Sequence, residues 1–157
     1  MTVRTGIGVD AHPFEAGRTL MLVCVEVPYE RGLAGHSDGD VVAHAVCDAL
    51  LGAAGLGDLG DRFPADERYA GAAGATLLAD TAAAIAPREI VWVDVTVVCQ
   101  EPRVAPHREA MRKAMAAALS LDPDRLSVKA TTTDGMGFTG RGEGIAALAA
   151  VTLEEPE

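Results

Sequence analysis

Aromatic side chains are scarce, at 4% of 157 residues, with one Trp, two Tyr and three Phe. A core without rings has to be built from Ala, Val and Leu, whose small volumes let elements pack closely. No uncharged apolar run reaches the ~18 residues of a spanning helix, which excludes a helical membrane protein. Basic residues are in deficit: 13 Lys and Arg face 23 Asp and Glu, a net charge of −10. That balance argues against a nucleic-acid-binding surface and against an anionic membrane partner. An acidic protein that handles phosphates must gather positive charge locally, and a metal ion is the compact way to do so. The three cysteines, Cys24, Cys47 and Cys99, are odd in number and widely spaced, with no CxxC pair. They read as small buried hydrophobes in a reducing compartment. The segment MTVRTGIGVDAH has no apolar signal core, so the expectation is a soluble cytoplasmic protein.

What is present is a globular composition, 49% apolar and 23% charged, of a size for one domain over residues 1–157. Thr5–Asp10 reads as a strand and Leu20–Val27 as a second, ended by Pro28. Tyr29–Gly35 reads as a loop. Val41, Val42, Ala45, Val46, Ala49 and Leu50 recur at helical spacing, with Ser37 or Asp38 as the expected cap. Gly57–Gly71 is a long loop, and long ordered loops usually carry function. Gly74–Ala86 and Pro106–Ser120 are predicted helices. Ile90–Cys99, Leu126–Ala130 and Gly144–Leu153 are predicted strands, and Thr131–Glu143 a Gly- and Thr-rich loop. The sum is an α+β two-layer sandwich, a mixed four- to five-stranded sheet with helices on one face. The other sheet face must be buried by something, most simply further copies of the chain.

Asp10 and His12 lie two apart at the end of the first strand, so both side chains point to one face. His44 sits on the first long helix. Singly, each reads as an ordinary turn or helix residue. Together, two imidazoles and a carboxylate suit a tetrahedral zinc site with one position open. Asp40 or Asp48, four residues either side of His44, can accept its second ring N–H. His36 and Ser37, at the expected helix entry, suit a phosphate oxygen. The stretch KATTTDGMGFTGRGEG, from Lys129 to Gly144, is neither a P-loop nor a dinucleotide fingerprint. Its Thr hydroxyls and backbone N–H groups can still meet phosphate oxygens, and Asp134 can hold a hard divalent cation. No nucleophile elbow or local Cys–His pair is present. The residues point to metal-assisted chemistry on a phosphorylated small molecule.

Three segments carry a resemblance: GIGVDAHPF, HSDGDVVAHAVCDALLGAAGLGDLGDRFP and VKATTTDGMGFTGRGEGIAA. Together they resemble the 2-C-methyl-D-erythritol 2,4-cyclodiphosphate synthase family of non-mevalonate isoprenoid biosynthesis, across essentially the whole chain. The resemblance implies a homotrimer whose sheets pack around a threefold axis, with active sites between subunits. It implies Asp10, His12 and His44 as zinc ligands and Asp134, where the family has Glu, at a second cation, Mg²⁺ or Mn²⁺. Pro102, Arg103, Ala130, Thr131, Thr132 and Thr133 match the region that holds cytidine and its phosphates. His36 and Ser37 match phosphate contacts, so that His36, Thr132 and Asp134 stand as the catalytic set. Asp58, Gly60, Phe63 and Asp66 fall in the region that meets the erythritol part. Phe138 and Arg141 fall where an isoprenoid diphosphate would enter a central cavity. The implied substrate is cytidine diphosphate-linked, 4-diphosphocytidyl-2-C-methyl-D-erythritol 2-phosphate, closed to the cyclodiphosphate with loss of CMP. The chain departs from the family pattern at Val23 and Cys24, where many relatives carry two glycines, and at Val9, often aromatic.

Overall fold

The computed structural model describes residues Met1–Glu157. In chain order, strand β1 spans Val3–Ala16, β2 Leu20–Leu22, β3 Val25–Val27 and β4 Arg31–Leu33. Helix α1 follows over Val41–Ala54, then short α2 over Leu59–Arg62 and α3 over Gly74–Ala84. β5 spans Glu89–Val98, α4 Arg108–Ala118, β6 Leu126–Thr131, short α5 Gly137–Gly140 and β7 Gly144–Glu154. Five strands form one mixed sheet in the order β4-β1-β7-β5-β6, and β2 and β3 form a separate hairpin. Only the β5–β6 pair is parallel, and α4 supplies the crossover that a parallel pair requires.

Alternation decides the two faces of the sheet. On β7, Ile145, Ala147, Ala149, Val151 and Leu153 are buried under the helices, while Leu148 points away and is exposed. The core has 36 residues, and Phe63 is its only aromatic, as the composition requires. On β1 the inward positions are Gly6, Gly8, Asp10, His12 and Phe14. A Cβ on Gly6 or Gly8 would collide with the carbonyl oxygens of Ala49 and Ala45. Two glycines thus face an alanine stripe, Ala45, Ala49 and Ala53, so α1 lies directly on β1. Gly6 meets Ala49 and Gly8 meets Ala45, so strand and helix run in opposite directions. The next inward residue, Asp10, therefore meets the turn of α1 that carries His44.

The predicted loops Gly57–Gly71 and Thr131–Glu143 contain the short helices α2 and α5, and three further local expectations are corrected. Residues 20–27 form a hairpin rather than one strand, because Val23 and Cys24 take left-handed φ values of 52° and 63° and reverse the chain. Arg31–Leu33, expected as loop, pairs with Phe14–Ala16 as an edge strand. The cap of α1 is Asp40, not Ser37 or Asp38: its carboxylate accepts the N–H groups of Val42 and Ala43. Two of the donors at that helix start are therefore already used, and His36 and Ser37 lie upstream in a loop.

Candidate active site

Asp10 and His12 leave β1 on its inner face, and His44, 6% exposed, meets them from α1. His12 Nε2 lies 2.9 Å from Asp10 Oδ2. His44 Nδ1 lies 3.2 Å from Asp10 Oδ2 and 3.3 Å from His12 Nε2. A tetrahedral zinc with ligands at ~2.05 Å has ligand–ligand edges of about 3.3 Å. The three atoms therefore outline one face of such a tetrahedron, and this is the only group of three or more His, Cys, Asp or Glu residues arranged to hold a metal.

The outer hydrogen bonds fit the ring tautomers that ligation needs. Asp10 Oδ1 accepts the N–H of Ala11 at 2.9 Å, which leaves Oδ2 toward the imidazoles. His12 Nδ1 donates to the carbonyl of Gly39 at 3.0 Å, leaving a lone pair on Nε2. His44 Nε2 lies 2.7 Å from Ser37 Oγ, a hydroxyl that can accept the Nε2 proton when the Nδ1 lone pair serves a cation. The expected partners of His44, Asp40 and Asp48, are engaged elsewhere. Asp40 accepts the N–H groups of Val23 and Cys24 besides those it caps. Asp48 accepts the N–H of Leu59 at 2.7 Å. With no cation bound, burial pushes the Asp10 carboxyl up, but hydrogen bonds and charge from His12 and His44 outweigh that and hold it well below the carboxylate range. Burial pushes His12 down, yet the hydrogen bond and charge of Asp10 leave it raised.

A cavity of about 180 Å³ opens beside these ligands, lined by His12, His36, Ser37 and His44 on one side and Leu59, Phe63 and Tyr69 on the other. His36 Nε2 donates to the backbone carbonyl of Asp66 at 2.6 Å, which ties the two loops. The Asp66 carboxylate itself is turned outward onto Arg68. Asp58 caps α2 through the N–H of Asp61, and Gly60 lies within that helix.

A second cleft of about 170 Å³ lies at the ends of β5 and β6, lined by Pro102, Arg103, Ala130, Thr131 and Thr132 among others. The two clefts share no lining residue, and β7 runs between the strands that carry them. Thr133 turns inward, its hydroxyl donating to the Met136 carbonyl and meeting Thr139 Oγ1. Asp134 is exposed at φ 54°, beside Thr132 Oγ1. Phe138 and Arg141 are exposed, with Arg141 paired to Glu143. The sequence reading missed Tyr69 and Arg108, which line the two clefts, and Arg18, which grips the His36 loop. Arg108 carried a signal: a cation in the first turn of a helix opposes the helix dipole, so another role favours it there. Two cysteines are unsuited to nucleophilic work, since burial pushes Cys47 up to about 12 and Cys99 up to about 11.

Similarity to known proteins agrees with this geometry. The 2-C-methyl-D-erythritol 2,4-cyclodiphosphate synthase of Moorella thermoacetica is 51% identical over 158 residues, covering 99% of this chain and 97% of that protein. The solved bifunctional IspDF of Campylobacter jejuni superposes with a TM-score of 0.95 at 40% identity, covering 99% of this chain. The CDP complex of Plasmodium falciparum IspF superposes with a TM-score of 0.86 at 29% identity, covering 99% of this chain and 97% of that one. The chain thus spans 43% of the bifunctional protein but nearly all of the single-function ones. The model of the YgbB family matches residues 3–154, and the chain belongs to that family, the family of the 2-C-methyl-D-erythritol 2,4-cyclodiphosphate synthases.

Proposed function

We propose that this chain is a 2-C-methyl-D-erythritol 2,4-cyclodiphosphate synthase that closes 4-diphosphocytidyl-2-C-methyl-D-erythritol 2-phosphate to the cyclic diphosphate and releases CMP. The observation that carries this reading is the Asp10–His12–His44 face opening onto a cavity walled by His36 and Ser37. In the reaction an oxygen of the 2-phosphate attacks the β-phosphorus. The bond from that phosphorus to the CMP oxygen breaks, and CMP leaves with the electron pair. This is a phosphorus–oxygen lyase step that stays within one substrate molecule.

The nucleophile is already an anion, so no strong base is required. The difficulty is to fold two mutually repelling phosphates together, which makes positioning and electrostatic stabilisation the main sources of rate. With His44 Nδ1 on a cation, Nε2 would donate to Ser37 Oγ, and the hydroxyl proton would then be available to a phosphate oxygen. His36, tied to the Asp66 carbonyl, stands on the same wall. Leu59, Phe63 and Tyr69 exclude water from the erythritol part. Arg103 and the hydroxyls of Thr131 and Thr132 suit the cytidine diphosphate end of the substrate, and the Plasmodium falciparum relative forms a complex with CDP. Zinc, the ion suited to two imidazoles and a carboxylate, would supply Lewis acidity toward the reacting phosphate. Asp134 would hold a second cation, Mg²⁺ or Mn²⁺, which neutralises diphosphate charge.

The functional unit in this reading is a homotrimer built on the exposed sheet face, where Ile7, Val9, Leu148 and Trp92 stand. Two clefts with no common lining residue then form one site, the metal face from one subunit and the Thr cleft from its neighbour. No helix is long and apolar enough to cross a membrane, in keeping with cytoplasmic work on a soluble substrate. The test is incubation with the diphosphocytidyl substrate, Zn²⁺ and Mg²⁺, followed by phosphorus NMR, with His44→Ala as control. Cyclic diphosphate plus CMP is expected from the unmodified chain and not from His44→Ala. A linear phosphate product would instead mark a phosphodiesterase, and CMP binding without turnover a binding protein.

A further inference from the structure

Arg18 lies in the turn between β1 and β2, just beyond the strand that carries Asp10 and His12, its side chain 29% exposed and lining neither cleft. Its guanidinium donates from Nη1 to the carbonyl of Gly35 and from Nη2 to the carbonyl of Ser37, both at 2.8 Å. Those two carbonyls belong to the residues on either side of His36, so one rigid fork fixes the peptide units that join Gly35 to His36 and Ser37 to Asp38. The turn is brought close by Gly32 on β4. A Cβ there would stand 2.5 Å from the Thr19 carbonyl oxygen and 2.7 Å from the Arg18 backbone.

The gripped segment is also the one that orients the imidazoles. Ser37 Oγ is hydrogen-bonded to His44 Nε2 at 2.7 Å. The backbone of Gly35 lies against the other ring, a Cβ there standing 3.4 Å from His12 Cε1. We infer that Arg18 is a positioning residue for the metal centre, acting through the Gly35–Ser37 loop to hold Ser37 on His44. The inference rests on Asp10, His12 and His44 being a metal centre. It requires the fork and not the charge, because a Lys ammonium is a point donor and does not replace a planar pair of N–H groups aimed at two carbonyls.

The test measures zinc affinity by competition with a chelator, and the visible absorption of the cobalt(II)-substituted protein, which reports ligand geometry. The proteins are the unmodified chain, Arg18→Met, Arg18→Lys, Ser37→Ala and the double variant Arg18→Met/Ser37→Ala. Ser37→Ala is expected to weaken zinc about 10- to 100-fold, as loss of a partner behind a ligand does. Arg18→Met is expected to weaken it about 5-fold and to shift the cobalt bands in the same direction as Ser37→Ala. Arg18→Lys should match Arg18→Met, and it carries the test should Arg18→Met fail to fold. The double variant should bind no more weakly than Ser37→Ala alone, because both changes break one linkage. An Arg18→Met protein with unaltered affinity and bands overturns the inference, as does full rescue by Lys or a double-variant loss equal to the product of the single ones. An unmodified chain that takes up no zinc overturns the metal reading itself and this inference with it.

Discussion

Asp40 holds Val23 in a conformation that Val rarely adopts: Oδ1 accepts the Val23 N–H at 3.1 Å while φ of Val23 is 52°. Oδ2 accepts the next N–H, of Cys24, at 2.7 Å, and Oδ1 also accepts those of Val42 and Ala43. One fully buried carboxylate thus ties the β2–β3 hairpin to the start of α1, the helix that carries His44. Burial pushes this carboxyl up, against the pull of the backbone donors.

Removing that carboxylate strands four backbone donors, several of them buried. At about 1–3 kcal/mol for each buried donor left unpaired, with partial rehydration, Asp40→Ala should lose at least about 3 kcal/mol. For a chain of this length that lowers Tm by roughly 6–12 °C. Calorimetry of the metal-free protein checks it, and a drop under about 2 °C would contradict the clamp.

The hairpin turn separates strain from burial. Cys24 is half-buried at φ 63°, so Cys24→Gly should relieve about 1 kcal/mol of left-handed strain at little loss of packing and raise stability. Val23 is fully buried, and its side chain contributes about 1.5–3 kcal/mol that Val23→Gly forfeits. The second change should therefore be neutral or destabilising although it relieves the same kind of strain. Urea unfolding of both variants decides, and equal gains in both would be the wrong outcome.

Much of this was legible in the sequence, for reasons that differ by element. The cores of β5 and β7 and the helices α3 and α4 each bury one regular face, while α1 is apolar and buried on nearly every side, which its run of Val, Ala and Leu already announces. The hairpin at 20–27 was not legible, since its turn residues are Val and Cys rather than Gly or Asn. β4 was not, because three edge residues carry no pattern. The ligand types were legible at Asp10, His12 and His44, but their convergence depends on Gly6 and Gly8 packing on Ala45 and Ala49, a match that only pairing the two elements reveals. Spacing along the helix pointed to Asp40 and Asp48 as partners of His44, whereas the partner is Ser37, reached through a loop with no period.

Zinc uptake should depend on pH through His12. Asp10 holds the His12 proton above the ordinary histidine range in the metal-free protein, and ligation requires that proton to leave. Apparent affinity should fall about tenfold per pH unit once pH drops below this raised value, and level off above it. Chelator competition across roughly pH 5 to 9 measures it. A flat profile over that range would mean that His12 is not a ligand.

Asp134 is exposed, and its carboxylate is partnered only by the nearby Thr132 hydroxyl. If it holds the second cation, Asp134→Ala should leave zinc content unchanged while raising the Mg²⁺ needed for half-maximal turnover about tenfold or more. Titration of activity with Mg²⁺ at saturating zinc gives the answer, and an unchanged curve would remove Asp134 from the site.

The exposed sheet face supplies the last prediction. Ile7 is 75% exposed and Val9 63% in the single chain, and Val9 pairs in register with Leu148, itself 44% exposed on the neighbouring strand. Contiguous apolar side chains of this kind on a sheet face mark an interface. Ile7→Glu puts a charge at its centre without touching the helix-covered side, where Gly6 and Gly8 pack on α1. The variant chain should therefore fold and still bind zinc, because Asp10, His12 and His44 all belong to one subunit. It should nevertheless sediment as a monomer and lose cyclisation if, as proposed, the Thr cleft of a neighbour has to meet the metal face. Analytical ultracentrifugation beside a zinc assay and turnover separates the cases. A monomer that retains full turnover would place both halves of the site within one chain, and an Ile7→Glu chain that stays oligomeric would put the interface elsewhere.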